Sequence, residues 1–246
     1  MPLTHQYRNP PVAEAVCEIL FVADPEWDVT SPGRFYPLIQ QEYPAKPKQQ
    51  EIIGAEVLQT ESGGFRVTQL SKVMFSSGDA EHQLGIGPLG LSIHESPPYA
   101  GWDADMRPRI ERVVRGYAAF DPARTVQRIG IRYINILPHC ETIADARRFV
   151  RFVPEPVEGL PHRATNFLAR AEFVYDDETR VIVAVGSGQR EDVKKLVLDI
   201  DVVRMGLALV LEPDAVLAII DQSKTKLAEA FEALITLEAK EIFDAH

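Results

Sequence analysis

A constant step of 114 residues, the distance from Glu14 to Arg128, constrains this chain more than any composition figure does. The strand-like run 13–21 lands, one step on, upon 127–135, a run with the same alternation, and each leads to a turn containing proline, Asp24-Pro25 and Leu137-Pro138. The step carries the apolar run 51–60 onto 165–174. It carries the turn Glu61-Ser62-Gly63-Gly64 and strand 65–68 onto Tyr175-Asp176-Asp177-Glu178 and strand 179–182, so turn chemistry falls on turn chemistry. Further on, 82–86 meets 196–200, and the helix predicted over 103–120 meets the longer one over 214–237. Each half, 10–122 and 124–238, then reads strand, short helix (33–42 or 143–153), about three antiparallel strands, long helix.

This repetition predicts an α+β fold in a single domain over 1–246: a tandem duplication of a β-α-β(3)-α unit forming one antiparallel sheet, with the long helices on one face. The links between strands are too short for parallel crossovers. An unrepeated α+β domain with evenly spaced elements is the alternative. In the last helix Leu217, Ile220, Leu227, Phe231 and Leu234 recur at three-, four- and seven-residue spacing, while Asp221, Lys224, Lys226, Glu229 and Glu232 fill the rest. That is the pattern of a helix lying on a sheet. Residues 103–120 repeat it with Met106, Ile110, Val113, Val114 and Tyr117, and Asp103 stands where an N-cap is expected. With both helices on one face, the other sheet face is left for solvent or a partner.

Period-two sorting says which side chains that open face carries. Ala15, Cys17, Ile19 and Phe21 belong under the helices, and Glu14 and Glu18 point away; in the matching strand Ile129, Ile131, Tyr133 and Asn135 go one way and Arg128 and Arg132 the other. If the two strands pair antiparallel, Glu14 lies near Arg132 and Glu18 near Arg128. Asp199 and Asp201 share one face of their strand, about 7 Å apart at the strand rise. The expectation is one ionisable cluster of Glu14, Glu18, Arg128, Arg132, Asp199 and Asp201. It reads either as cross-strand ion pairs that fix register or as a polar ligand site.

The opening Asn9-Pro10-Pro11-Val12-Ala13-Glu14-Ala15-Val16-Cys17-Glu18-Ile19-Leu20-Phe21 resembles the N-terminal signature of a sporadically distributed family of bacterial and archaeal proteins of unknown function. Arg128-Ile129-Gly130-Ile131-Arg132-Tyr133-Ile134-Asn135 and Leu198-Asp199-Ile200-Asp201 are similar to its two later motifs. The resemblance covers essentially the whole chain and implies no activity, substrate or catalytic residue. In outline the repeated unit also resembles the saddle of the TATA-binding protein, as a matter of fold.

Charge argues against a nucleic-acid reading of that outline. The chain carries a net −10, divided −6 over residues 1–123 and −4 over the remainder, whereas a minor-groove binder needs a basic concave face. An arginine-rich stretch over 124–170, with Arg124, Arg147, Arg148, Arg151, Arg163 and Arg170 besides Arg128 and Arg132, reads as a solvated helix face or a seat for an acidic partner or phosphate. Gly85-Ile86-Gly87-Pro88-Leu89-Gly90 matches the dinucleotide fingerprint in letters, but Leu91-Ser92-Ile93-His94 and then Pro97-Pro98 follow it where a helix is required. The six histidines, His5, His82, His94, His139, His162 and His246, are scattered and read as surface or turn residues. Cys17 reads as core, and adjacent His139 and Cys140 point apart on an extended chain. Tyr99 and Trp102, after Pro97-Pro98, read as a contact surface, with Trp102 alternatively a cap for the helix that follows.

No cofactor or metal is expected. Two cysteines, no apolar run of membrane-spanning length and no leader-like opening predict a cytoplasmic protein. The expected function is non-enzymatic binding or protein interaction, with a protein partner or a second copy on the open face or a sheet edge. The alternative is an enzyme or small-ligand protein using the ionisable cluster.

Overall fold

Strict alternation in the two motif strands sets the sheet. The computed structural model describes residues 7–58, 64–138, 142–155, 157–160, 166–175, 178–190 and 193–244. His5, His139, Cys140, His162, Arg163 and His246, and parts of the turns expected at 61–64 and 175–178, lie outside them. Strand β1 (Val12–Phe21) buries Ala15, Cys17, Ile19 and Phe21 completely. Strand β6 (Thr125–Leu137) buries Ile129, Ile131, Tyr133, Asn135 and Leu137 on the same side. The two strands pair antiparallel, Cys17 opposite Ile131 and Ile19 opposite Ile129.

The remaining strands run outward from this central pair. On the β1 side come β2 (Lys48–Leu58), β3 (Gly64–Ser76), β4 (His82–Gly87) and β5 (Gly90–Glu95); on the β6 side, β7 (Leu168–Val174), β8 (Thr179–Arg190) and β9 (Val193–Arg204). Their spatial order is β2-β3-β4-β5-β1-β6-β9-β8-β7, every neighbouring pair antiparallel, and the short β10 (Leu209–Val210) adds to the start of β6. The architecture is therefore α+β around one large antiparallel sheet. The first half supplies four strands beyond β1, not three, because the glycine-rich segment 85–90 makes its own hairpin between β4 and β5. Its glycines serve close strand approach: a Cβ at Gly90 would run into the Ile19 carbonyl, and one at Gly85 into the Ser92 hydroxyl.

Helices α2 (Arg107–Phe120) and α4 (Pro213–Leu234) cover the apolar face with Ile110, Val113, Val114 and Tyr117 from one and Val216, Leu217, Ile220 and Leu227 from the other. Each such side chain, fully buried, contributes about 1.5–3 kcal/mol. Phe21 stacks on Tyr117 at 5.4 Å. The Arg124 guanidinium sits 4.9 Å over the Phe21 ring and 3.0 Å from Asp24, closing that end of the core. Arg107 crosses to Asp221 at 2.7 Å and ties the two helices together.

Local chemistry trims the expected helices. α1 spans Ser31–Phe35 and passes into a 3-10 turn at Tyr36–Leu38, since Pro37 has no N–H to continue the α ladder. α3 spans Ile143–Ala146, opened by a capping box between Thr142 and Asp145. α4 starts on Pro213 behind the Glu212 cap and stops at Ile235, which bridges to Val150; α5 (Leu237–Asp244) follows as a separate helix. Asp103 does not cap α2. Gly101, at φ 108°, turns the chain into a π-helical turn over Trp102–Met106 that runs into the helix.

Candidate functional site

The six charged residues singled out in the sequence all stand on the sheet face opposite the helices, where the register puts most of them in contact. Leu20 lies opposite Arg128, and Glu18 opposite Gly130, so Glu18 and Arg128 meet on the diagonal and form an ion pair. The second Arg128 nitrogen reaches Asp201 at 3.4 Å, and Lys72 from β3 reaches Glu18 at the same distance. Arg132 makes a two-point contact with Asp199, 2.8 Å from Nε to Oδ1 and 2.6 Å from Nη2 to Oδ2. Glu14 has a different partner from the one the alternation suggests: its carboxylate meets His94 Nδ1 at 2.8 Å, and Arg132 acts on it only at longer range. His94 is thus part of the network and not a turn residue.

This geometry fixes the protonation behaviour of the face. The hydrogen bond from His94 holds Glu14 below the usual carboxylate range. Asp201 is pushed up to about 6, first by burial and then by its neighbours Asp199 and Glu18, against the pull of Arg128 and Arg132. A recess here, about 160 Å³ and lined by Arg132, Arg170, Ile182, Ala184, Asp199 and Asp201, is little larger than a few water molecules. The six predicted residues on this face are paired with one another, with Lys72 or with His94.

The helix side differs. A cleft of about 1210 Å³ opens between α2, α4, the segment 99–104 and the chain before β1, with Tyr133 and Asn135 of β6 at its floor. Tyr99 and Tyr133 share a 2.5 Å hydrogen bond between their hydroxyls, and burial raises both phenols above their ordinary range. The Asn135 amide donates to the Tyr133 and Leu198 carbonyls. Rim charges are mostly paired: Arg107 with Asp221 and Glu111, Tyr7 and Lys240 with Glu232.

Lys224 stands apart from that pairing. Its ammonium lies 5.2 Å from the Tyr133 ring centre and 5.7 Å from that of Trp102, with no carboxylate in ion-pair reach among the described residues. Burial lowers its pKa, opposed only by the distant charge of Asp103. The sequence pattern assigns Lys224 to the solvated side of the helix. Instead it fills the gap in the apolar stripe, four residues after Ile220 and three before Leu227, and so faces inward. That position is the signal that would have found it. Trp102 and Tyr99 line the same cleft and do not cap the helix.

A second group of polar residues sits beside this floor. Glu95 ends the apolar face of β5 (Leu91, Ile93, Glu95), is fully buried, and has no hydrogen-bond partner at either oxygen. The Ala100 amide approaches it without reaching hydrogen-bond geometry. Its carboxyl is raised to about 7 by burial and by the charge of Asp105. His82, directly across the β4–β5 ladder, is largely buried beside Asp105 and is not the surface residue its sequence context suggests.

No family model and no curated protein match the chain. A solved structure, that of the S. pombe Pct1 RNA triphosphatase, aligns with 96% of this chain and 86% of its own at 8% identity and a TM-score of 0.12. A likeness that slight describes no shared fold.

Proposed function

We propose that the chain is a non-enzymatic binding protein whose ligand is a small organic anion held in the cleft between α2 and α4. The observation that carries this is Lys224: a cation in a roomy, aromatic-lined cavity with no carboxylate partner among the described residues. An anionic head on Lys224 would supply the missing counter-charge, and Tyr99, Trp102 and Tyr133 offer apolar area to a flat body. The open-face cluster is then a register device. A thermal-shift series with benzoate, phenyl phosphate and inorganic phosphate tests the reading. The aromatic anions should raise the unfolding midpoint of the wild type and leave Lys224→Met unmoved; absence of any shift, or equal shifts in both proteins, would overturn it.

A second reading rests on the same amine. Its lowered pKa leaves more of it unprotonated than an exposed lysine, the state that condenses with a carbonyl to an imine and water. Borohydride reduction in the presence of a carbonyl ligand would trap that adduct on Lys224 as a fixed mass gain.

The duplication belongs to the proposal as well. β1 and β6 lie side by side, the strands that follow each of them step from a sheet edge back toward the centre, and each half ends in a long helix; this order supports a tandem origin and the saddle-like outline, while kinship with the family that the opening motif resembles rests on the motif residues alone. The buried free thiol of Cys17 fits a reducing cytoplasm, where a second copy remains a candidate partner.

A further inference from the structure

Apart from the cleft, we propose that His82, Glu95 and Asp105 form a binding site for one divalent first-row transition ion, zinc or manganese. Three elements converge to make it. His82 begins β4, Glu95 ends β5 as its direct cross-strand partner, and Asp105 lies on the turn that leads into α2. One ligand atom from each residue lies within 4.8 Å of the other two. His82 Nε2 and Asp105 Oδ2 are 3.4 Å apart, which matches the edge of a tetrahedron about an ion with bonds of about 2.1 Å.

Glu95 supplies the independent reason for a ligand. A fully buried carboxylate with both oxygens unpartnered is a strongly unfavourable arrangement for a side chain alone, and a cation resolves it directly. Two carboxylates and a neutral imidazole offer the charge that a divalent ion neutralises.

Asp105 is held for the purpose. Arg109, itself almost fully buried, donates to Oδ1 at 2.7 Å and leaves Oδ2 turned toward His82, the kind of outer support that orients metal ligands. The donor set sorts the ions. An imidazole with two carboxylates suits zinc or manganese, whereas calcium needs six to eight oxygens and magnesium keeps most of its waters.

The test is metal binding by the full chain after stripping with a chelator and dialysis. Calorimetric titration should show one saturable site for Zn²⁺ or Mn²⁺, with a raised unfolding midpoint, and neither effect from Mg²⁺ or Ca²⁺ at the same concentration. Glu95→Gln and His82→Gln should each weaken binding at least about 100-fold. If the Glu95 variant fails to fold, Asp105→Asn, at a partly exposed position, carries the same expected loss. Absence of a saturable site in the wild type, or equal affinity in the wild type and the folded ligand variants, would overturn the assignment.

Discussion

The two faces of the sheet treat their most buried charged groups differently. On the open face Glu14, Glu18, Arg128, Arg132, Asp199 and Asp201 find partners in one another or in Lys72 and His94. Beneath the helices, among the described residues, Lys224 has no carboxylate in ion-pair reach and the Glu95 carboxylate has no hydrogen-bond partner, in surroundings of rings and aliphatic side chains. Paired charge near a surface is ordinary structural material, whereas desolvated charge left unpaired is a standing cost that a fold retains for a use. The comparison therefore turns attention from the face the sequence advertises to the one it conceals.

Four substitutions break or sharpen that comparison. The largest effect is expected from Arg128→Ala, which strands Glu18 and Asp201 together. Denaturant unfolding should show a loss of about 2–3 kcal/mol, less than full burial would give because both acids keep some solvent contact. Asp201→Asn tests the same network through pH. The folded carboxyl, raised from 3.8 to about 6, binds more protons than the unfolded one in that window, so wild-type stability attributable to it falls as pH rises from about 4 to 6. That slope, on the order of 1–3 kcal/mol, should vanish in the variant.

Arg132→Ala should cost about 1 kcal/mol, since the arginine is 47% exposed and its pair with Asp199 is screened. A loss of several kcal/mol would show a tighter network than the geometry gives. The smallest change carries the opposite sign. Lys224 has a folded pKa below 10.5, so its protonated form burdens the fold at neutral pH, and the burden lifts only as pH climbs from the folded value toward 10.5. Lys224→Met should therefore gain about 0.5–1 kcal/mol at pH 7. If that variant were destabilised instead, Lys224 would be a structural residue with a partner.

Legibility in the sequence followed period and turn chemistry. The sorting of Glu18 and Arg128 to one face comes from alternation, a signal with a period of two that every residue of a strand reinforces; the antiparallel sense comes from the short links between strands, and the pairing of β1 with β6 entered only as a condition suggested by the 114-residue step. Helix ends were less legible: Pro37 and the bridge from Ile235 to Val150 stop helices that the apolar pattern extends. Strand sorting also could not decide between two neighbours. Glu14 has Arg132 on one side and His94 on the other, and β5 reaches it first.

The cleft was hidden for a different reason. Apolar periodicity treats a charged residue in a stripe as a gap, so Lys224 within Leu217, Ile220, Leu227 and Phe231, and Glu95 after Leu91 and Ile93, registered as interruptions. Read as charges forced inward, they mark the two places where the helix side departs from a plain core. What sequence lacks is the approach of segment 99–105, which brings Tyr99, Trp102 and Asp105 to those positions from outside the strands.

The most direct test of function in the cleft is mass spectrometry of small molecules released on denaturing protein purified from its native cells. The account predicts an anionic species near one equivalent in the wild type and in Arg132→Ala, and its loss from Lys224→Met. A species kept by Lys224→Met and shed by Arg132→Ala would contradict it and return function to the open face.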